Sequence, residues 1–296
     1  MIHEEIKYST GKYKAFILLE CLIWGIGNPV TRYAYISMTP FCYMAVRFAA
    51  AFLIFIALFY KNIKEDLKAE KLRGCLIVGI FMGGAYIFGN LALAGSMVTI
   101  AGFLMGTSVI FTSLFSVMFL KSRLEKKFIA ILAAVIVGMY MLCCGGSGEF
   151  TFGTGEVFAL LSSACLGSTL LLSAKYIKDV SPFTLSAVQC GVTAAACTVF
   201  GLVLEDFGCM LDAEPVSWIA MAYLVIGCTV AAFLLQNVSI NHLSPIFVSL
   251  AFSTEPIFTA AASFFMLGET INAAGLAGSV LIMAGVAAAS VMNERK

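Results

Sequence analysis

The stretch Glu255-Pro-Ile-Phe-Thr259 resembles the earlier stretch Ser108-Val-Ile-Phe-Thr112 at an offset of 147 residues (255 minus 108). The same offset pairs Asn90 with Asn237. Two matches at one spacing indicate that the chain contains an internal duplication.

A second set of matches has an offset of 142 residues (182 minus 40). Pro40-Phe41 pairs with Pro182-Phe183, and Ala45-Val46-Arg47 pairs with Ala187-Val188-Gln189. The two offsets differ by five residues, and we place this change in a loop, where insertions are tolerated. The sequence therefore predicts two related halves.

The composition indicates that lipid is the solvent for most of the chain. Of 296 residues, 61% are hydrophobic and only 12% are charged, whereas soluble domains contain about 25% charged residues. The net charge of +1 gives no general attraction to nucleic acid. The ten cysteines contain no Cys-x-x-Cys pair, so we interpret them as small apolar side chains.

The apolar runs are long enough to be transmembrane helices, which need about 20 residues each. They do not alternate as barrel strands would. Ten runs qualify: 15–36, 41–60, 74–95, 100–120, 128–144, 156–176, 182–203, 217–240, 245–267 and 273–292.

The basic residues set the orientation of these spans, because cytoplasmic loops are enriched in lysine and arginine. If all ten runs cross the membrane, the clustered basic residues fall on one side, and the opposite loops contain only acidic charges such as Glu149, Glu205, Asp206 and Glu269. We therefore expect a multi-pass protein of the plasma membrane with both termini in the cytoplasm.

Five spans in each half mean that the second half enters the membrane upside down. We predict a cytoplasmic tail (1–14), a first repeat (15–144), a glycine-rich extracytoplasmic linker (145–155) and a second repeat (156–292). The fold class is therefore an all-α membrane bundle of ten helices in two inverted repeats. Such repeats are typical of transporters that work by alternating access.

Several short motifs in this frame resemble the EamA-type transporters of the drug/metabolite transporter superfamily, over nearly the whole chain. They are Trp24-Gly25, Ser-Met-Thr-Pro40 with Arg47, and Glu255-Pro256 with Leu267-Gly268-Glu269. The first half departs from the pattern at Val109 and at Lys121-Ser122. The resemblance implies a basket of ten helices around a central cavity, and export or exchange of amino acids and related metabolites.

Glu255 is the first candidate site residue, because it lies midway along the ninth span. A carboxyl group inside a membrane is neutral, paired or functional. Pro256 cannot donate a backbone hydrogen bond and leaves the carbonyl of Phe252 without its usual partner. A kink with a free carbonyl beside a carboxyl group suggests proton coupling or cation recognition, and a structural carboxyl paired at the kink is the alternative.

A polar face of the first span provides the next candidates. Glu20, Trp24, Asn28 and Arg32 recur every four residues and therefore lie along one helix face. We expect this face to line the cavity or the bundle interior, with Trp24 either stacking on a ligand or packing. For Glu20, a position at the membrane interface or in a structural ion pair remains open.

Arg47, in the second span, is a candidate ligand for a substrate carboxylate, or else a structural arginine. Asn90 and Asn237 occupy equivalent places, with Tyr86 one turn before the first and Gln236 beside the second. We include these four as candidate substrate-binding residues, although hydrogen bonds between helices would also explain the amides.

The leading functional hypothesis is a secondary transporter that exports or exchanges amino acids or similar small metabolites, coupled to protons through Glu255. An organic-cation transporter is the alternative. No histidine lies inside a span, and the chain has no phosphate-binding loop, so we expect no enzyme, and no cofactor or metal. The tenth span, rich in glycine and alanine, is a candidate surface for packing against another helix or against a second copy.

Overall fold

The computed structural model is all-helical over the residues that it describes, which are 2–66, 69–95, 98–121, 125–144, 153–268 and 272–293. Most of the predicted linker 145–155 lies outside these ranges, as do Ser122 and Glu269. The helices are α1 (Ile2–Ala34), α2 (Pro40–Asp66), α3 (Ala69–Gly95), α4 (Val98–Gly106), α5 (Ser108–Leu120), α6 (Lys126–Cys144), α7 (Thr154–Tyr176), α8 (Pro182–Leu204), α9 (Pro215–Val225), α10 (Ala232–Ile240), α11 (Pro245–Phe252), α12 (Glu255–Leu267) and α13 (Ala273–Asn293).

Seven stretches of the described residues are long and apolar enough to cross a membrane. They are Pro40–Asp66, Lys71–Gly95, Ala101–Phe119, Thr154–Tyr176, Pro182–Leu204, Pro215–Ile240 and Pro245–Leu267. The predicted runs 128–144 and 273–292 are also helical, within α6 and α13, and the run 15–36 is helical as far as Ala34, the end of α1.

The structure differs from the sequence prediction at several places. Helix α1 begins at Ile2, so it includes most of the predicted tail 1–14 as well as the first span. The runs 100–120 and 245–267 are not continuous helices, since α4 and α5 are separated at Thr107, and α11 and α12 at 253–254. The run 217–240 contains a π-helical segment, Ile226–Ala231, between α9 and α10.

Local sequence explains several helix ends. Before α8 and α11, the hydroxyl oxygens of Ser181 and Ser244 accept hydrogen bonds from the backbone three residues later, and a proline follows each serine. The end of α12 is set by Gly268, whose φ of 69° is accessible to glycine.

The two halves pack by exchanging equivalent partners. Helix α3 of the first half packs on α7 of the second half. Correspondingly, α1 of the first half packs on α9 and α10 of the second half. Likewise α4 and α5 pack on α7, while α11 and α12 pack on α1. Two helix pairs, α2 with α8 and α6 with α13, join equivalent members of the two halves.

The contact between α6 and α13 uses the small residues of the tenth predicted span. An added Cβ at Gly138 would meet the carbonyl oxygen of Gly278 at 2.8 Å, so these backbones approach closely. This face of α13 therefore packs within the chain.

The α2–α8 pair is joined at both ends by a carboxylate that caps the neighbouring helix. A carboxylate oxygen of Asp66, at the end of α2, accepts from the Ser181 N–H at 2.8 Å and the Thr184 hydroxyl at 2.7 Å. A carboxylate oxygen of Glu205, just after α8, accepts from the N–H groups of Phe41 and Cys42, both at 2.9 Å. These bonds satisfy helix N-terminal donors that would otherwise lack partners.

Candidate substrate and coupling site

The break between α11 and α12 is the structural centre of the candidate site. Glu255 is the first residue of α12, and Pro256, which has no N–H to donate, follows it. The Thr254 hydroxyl donates to the Ala251 carbonyl at 2.8 Å, which satisfies an acceptor at the end of α11. The predicted kink at Pro256 is therefore a complete interruption of the helix.

The break between α4 and α5 reproduces this geometry in the other half. Thr107 lies 147 residues before Thr254 (254 minus 107), and its hydroxyl donates to the carbonyl of Leu104. Ser108 occupies the position that corresponds to Glu255. Both repeats thus contain a discontinuous helix, but only the second carries a carboxyl group there.

Helix α1 packs directly against α12 because Gly25 has no side chain. A Cβ at this position would overlap the Cβ of Phe258 and lie 3.1 Å from the Glu255 carbonyl oxygen. The neighbouring Trp24 packs on Phe252 with ring centroids 5.2 Å apart. The Trp24-Gly25 pair therefore positions the polar face of α1 at the break.

Asn28 connects this face to Glu255. Its side-chain nitrogen donates to Glu255 Oε1 at 3.0 Å and to Thr259 Oγ1 at 2.9 Å. All three residues are partly exposed. Sequence analysis missed Thr259, although its position four residues after Glu255 places it on the same helix face.

Glu20 is completely buried, which excludes the interfacial position left open from the sequence. Neither of its carboxyl oxygens has a hydrogen-bond partner among the described residues. Glu20 and Glu255 are close enough to interact electrostatically. Two acids that are far apart in sequence therefore share one region of the fold.

Arg47 is also buried, with 6% of its surface exposed. Its Nε donates to the Thr229 hydroxyl at 2.7 Å, one Nη to the Tyr43 hydroxyl at 2.8 Å, and the other Nη to the Cys228 carbonyl at 3.2 Å. Its guanidinium also lies over the rings of Phe48 and Tyr86, 5.3 and 5.4 Å from their centroids. None of these partners carries a negative charge.

The π-helical segment supplies the Cys228 carbonyl as an acceptor for both Trp24 and Arg47. The N–H of Ala232 donates to the carbonyls of Gly227 and Thr229 and bypasses the carbonyl between them. The bypassed Cys228 oxygen accepts from Trp24 Nε1 at 2.8 Å as well as from Arg47. Sequence analysis missed this segment, because no residue pattern marks a π-bulge.

Tyr86 interacts with charged groups of both signs. Its hydroxyl interacts electrostatically with Arg47, Glu255 and Glu20. Tyr86 is partly exposed, and within the described residues its hydroxyl makes no hydrogen bond. This places the predicted tyrosine in the same region as both acids and the arginine.

Asn90 and Asn237 lie at contacts between helices. Asn90 Oδ1 accepts from the Tyr35 hydroxyl, and its amide nitrogen donates to the Tyr86 carbonyl at 2.8 Å. Asn237 donates to Gln189 Oε1 at 2.7 Å, across the contact between α10 and α8. These bonds give both amides a structural role.

Gln236, beside Asn237, is in a different environment. It is completely buried, and neither its amide oxygen nor its amide nitrogen has a partner in the described part of the chain. It therefore keeps its hydrogen-bonding capacity, like Glu20.

The described residues contain discontinuous helices, seven stretches capable of crossing a membrane, and charged groups buried between helices, and these features are characteristic of membrane transporters. This class of protein is supported by the comparisons with known families. The model of the EamA-like transporter family matches residues 12–144 and again residues 153–291. The chain therefore belongs to the EamA-like transporter family and is a multi-pass membrane protein.

Individual relatives agree with this assignment. The chain is similar to an uncharacterized transporter of Archaeoglobus fulgidus, with 24% identity, covering 91% of this chain and 83% of the relative. It is also similar to the uncharacterized transporter YyaM of Bacillus subtilis, with 23% identity and 88% coverage of both chains. A crystal structure with 19% identity matches 96% of this chain and 98% of its own with a TM-score of 0.80, which supports the fold.

Proposed function

We propose that this protein is a secondary transporter that works by alternating access, with ten transmembrane spans in two inverted halves. The matched breaks at Thr107 and Thr254 and the exchange of equivalent packing partners support two related halves. An odd number of spans in each half gives them opposite orientations. Two similar halves of opposite orientation can exchange their conformations and so open the site to either side.

The proposed setting is the plasma membrane, with both termini in the cytoplasm. This orientation rests on the clustering of lysine and arginine on one side of the ten spans. It places the end of α1 that contains Glu20 toward the cytoplasm. The Asn28 end of the same face then lies toward the outside.

The proposed substrates are amino acids or related small metabolites, which are exported or exchanged. One observation carries this choice: Tyr86 interacts electrostatically with Arg47 and with both acids, yet the arginine has no acidic partner among its described contacts. A zwitterion would complement this arrangement, with its ammonium group toward Glu255 and its carboxylate toward Arg47 and Tyr86. Buried charges require partners, and the substrate would supply them.

Glu255 is the proposed coupling residue. It is partly exposed, and its only hydrogen-bond donor in the described part of the chain is the neutral amide of Asn28. It is therefore free to exchange a proton or to bind an ammonium group. Glu255→Gln should abolish transport driven by a proton gradient, and full pH-dependent activity in this variant would contradict the assignment.

An organic-cation transporter is the second candidate. It is favoured by the contrast between the charged groups, because Arg47 uses each of its three nitrogens in a hydrogen bond whereas Glu20 uses neither oxygen. A cation needs only the acids and the aromatic face of Trp24. For this candidate, Arg47 has a purely structural role.

Counterflow in proteoliposomes tests these proposals. Vesicles with purified protein are loaded with unlabelled amino acids, and the uptake of a radiolabelled amino-acid pool is measured with and without excess external choline. Accumulation that choline does not reduce supports amino acids as substrates. Accumulation that choline blocks, or that occurs only with labelled choline, supports the organic-cation candidate, and accumulation of neither label contradicts both.

A further inference from the structure

Glu20 is the strongest unexplained polar group in the described part of the molecule. Its side chain is completely buried, and both carboxyl oxygens lack hydrogen-bond partners there. A carboxylate ion is not stable in such a place without a cation or a donor. A carboxyl group at this position is therefore better suited to the protonated, neutral form.

Glu255 provides the contrast. Although it lies close to Glu20, it is partly exposed and accepts a hydrogen bond from Asn28. The two acids therefore differ in solvent exposure: Glu255 is partly exposed, and Glu20 is completely buried. Because like charges repel at short range, ionisation of one acid disfavours ionisation of the other.

The polar face of α1 connects the two positions. Glu20 and Trp24 are one helical turn apart, and Asn28, which holds Glu255, is one turn further on. Cys21, next to Glu20, donates from its sulfur to the Ala251 carbonyl at 3.4 Å, just before the break in the ninth predicted span. Glu20 is thus placed beside the break, on its cytoplasmic side.

We propose that Glu20 is a second proton-binding site, which receives a proton from Glu255 and releases it to the cytoplasm when the inner side of the protein opens. This proposal rests on the proposed transport function and extends it. In the transfer, which precedes the buried state described here, the O–H bond of a protonated Glu255 breaks and an O–H bond forms on an ionised Glu20. Glu255 becomes the anion and Glu20 becomes neutral, so charge is conserved.

Other titratable groups interact with Glu20 or with the α1 backbone beside it. Tyr86 of α3 and Cys21 of α1 interact with it electrostatically. Tyr223 of α9 and Cys228 of the π-helical segment instead donate to the Ile23 carbonyl, at 3.0 and 3.3 Å. The described part of α12 contributes only Glu255.

Transport measurements on Glu20→Gln test the proposal in proteoliposomes. We compare two activities of the unmodified protein and the variant: counterflow at equal pH on both sides, and transport driven by a pH gradient. Glutamine keeps the size of the side chain but cannot carry the proton. We expect the ratio of gradient-driven transport to counterflow to fall by about tenfold or more in the variant, since proton-transfer groups contribute at least this factor.

Two further variants keep the test falsifiable. Glu20→Asp keeps a proton-carrying group and should recover part of the gradient-driven transport. Glu65→Gln changes an exposed glutamate at the end of α2 and should resemble the unmodified protein. An undiminished ratio of gradient-driven transport to counterflow in Glu20→Gln, or no recovery in Glu20→Asp, would overturn the proposal. Absence of counterflow in the unmodified protein would instead contradict the proposed function.

Discussion

The contact between α1 and α12 makes a specific prediction for Gly25→Ala. The new Cβ would overlap the Cβ of Phe258 and lie 3.0 Å from the Thr259 nitrogen and 3.1 Å from the Glu255 carbonyl oxygen. Two of these three atoms belong to the backbone of α12, and the position of the third, the Phe258 Cβ, is fixed by that backbone. A change of rotamer therefore cannot remove the overlap. The two helices must separate, and the 3.0 Å bond from Asn28 to Glu255 must lengthen.

The expected cost follows from these contacts. Overpacking of this kind destabilises a protein by about 1–3 kcal/mol. Loss of the Asn28 hydrogen bond adds about 1 kcal/mol, and the better helix propensity of alanine returns at most about 1 kcal/mol. The free energy of unfolding should therefore decrease by about 1–3 kcal/mol.

Gly102→Ala is the matched control, because a Cβ at Gly102 in α4 meets nothing within 4 Å. Thermal unfolding in detergent can be followed with a thiol-reactive dye, since Cys21, Cys42, Cys75 and other cysteines are buried until the protein unfolds. Gly25→Ala should unfold at a lower temperature than the unmodified protein, and Gly102→Ala should not. Equal stability of both variants, with undiminished counterflow, would refute the argument that Gly25 is required for this contact.

Three further predictions concern other parts of the structure. Arg47→Lys should lower the unfolding temperature and weaken counterflow, because lysine cannot reproduce a three-nitrogen arrangement of donors; unchanged stability would contradict the described network. Trp24→Phe keeps an aromatic ring but removes the donor to Cys228, so we expect a loss of about 1 kcal/mol in unfolding free energy, and a loss as large as that of Trp24→Ala would show that this account is wrong. Asp66→Asn and Glu205→Gln should each destabilise the protein by about 1 kcal/mol by weakening a helix cap, and thermal unfolding measures this loss. In the double variant the two losses should add, because the two caps are at opposite ends of the α2–α8 pair.

Much of the architecture could be predicted from sequence because it depends on simple periodic properties. Lipid requires continuous apolar runs, and these identify the helices. The duplication is visible because Glu255–Thr259 still resembles Ser108–Thr112. The polar face of α1 was also predictable, since Glu20, Trp24 and Asn28 follow helical spacing.

The interruptions of the helices could not be predicted in the same way. Thr107 and Thr254 lie at the breaks, where their hydroxyls donate to carbonyls three residues earlier, and hydropathy does not detect these bonds. The π-helical segment is stabilised by partners on other helices, since the Cys228 carbonyl accepts from Trp24 and Arg47. Such contacts depend on tertiary packing, which no local pattern records.

The most direct test of the account is whether substrate binds beside Trp24. The chain has two tryptophans, and the second, Trp218 in α9, is 42% exposed and outside the candidate site. Trp218→Phe therefore leaves Trp24 as a single fluorescent reporter, and Trp24→Phe leaves only the control tryptophan. The purified variants are titrated with the compound that is accumulated in counterflow.

The account predicts a saturable change in Trp24 emission in Trp218→Phe, and no change in Trp24→Phe. The change should be abolished when Glu255→Gln is added to Trp218→Phe. A transported compound that leaves Trp24 emission unchanged at saturating concentration, or that changes it equally in the Glu255→Gln variant, would contradict a substrate site between α1 and α12.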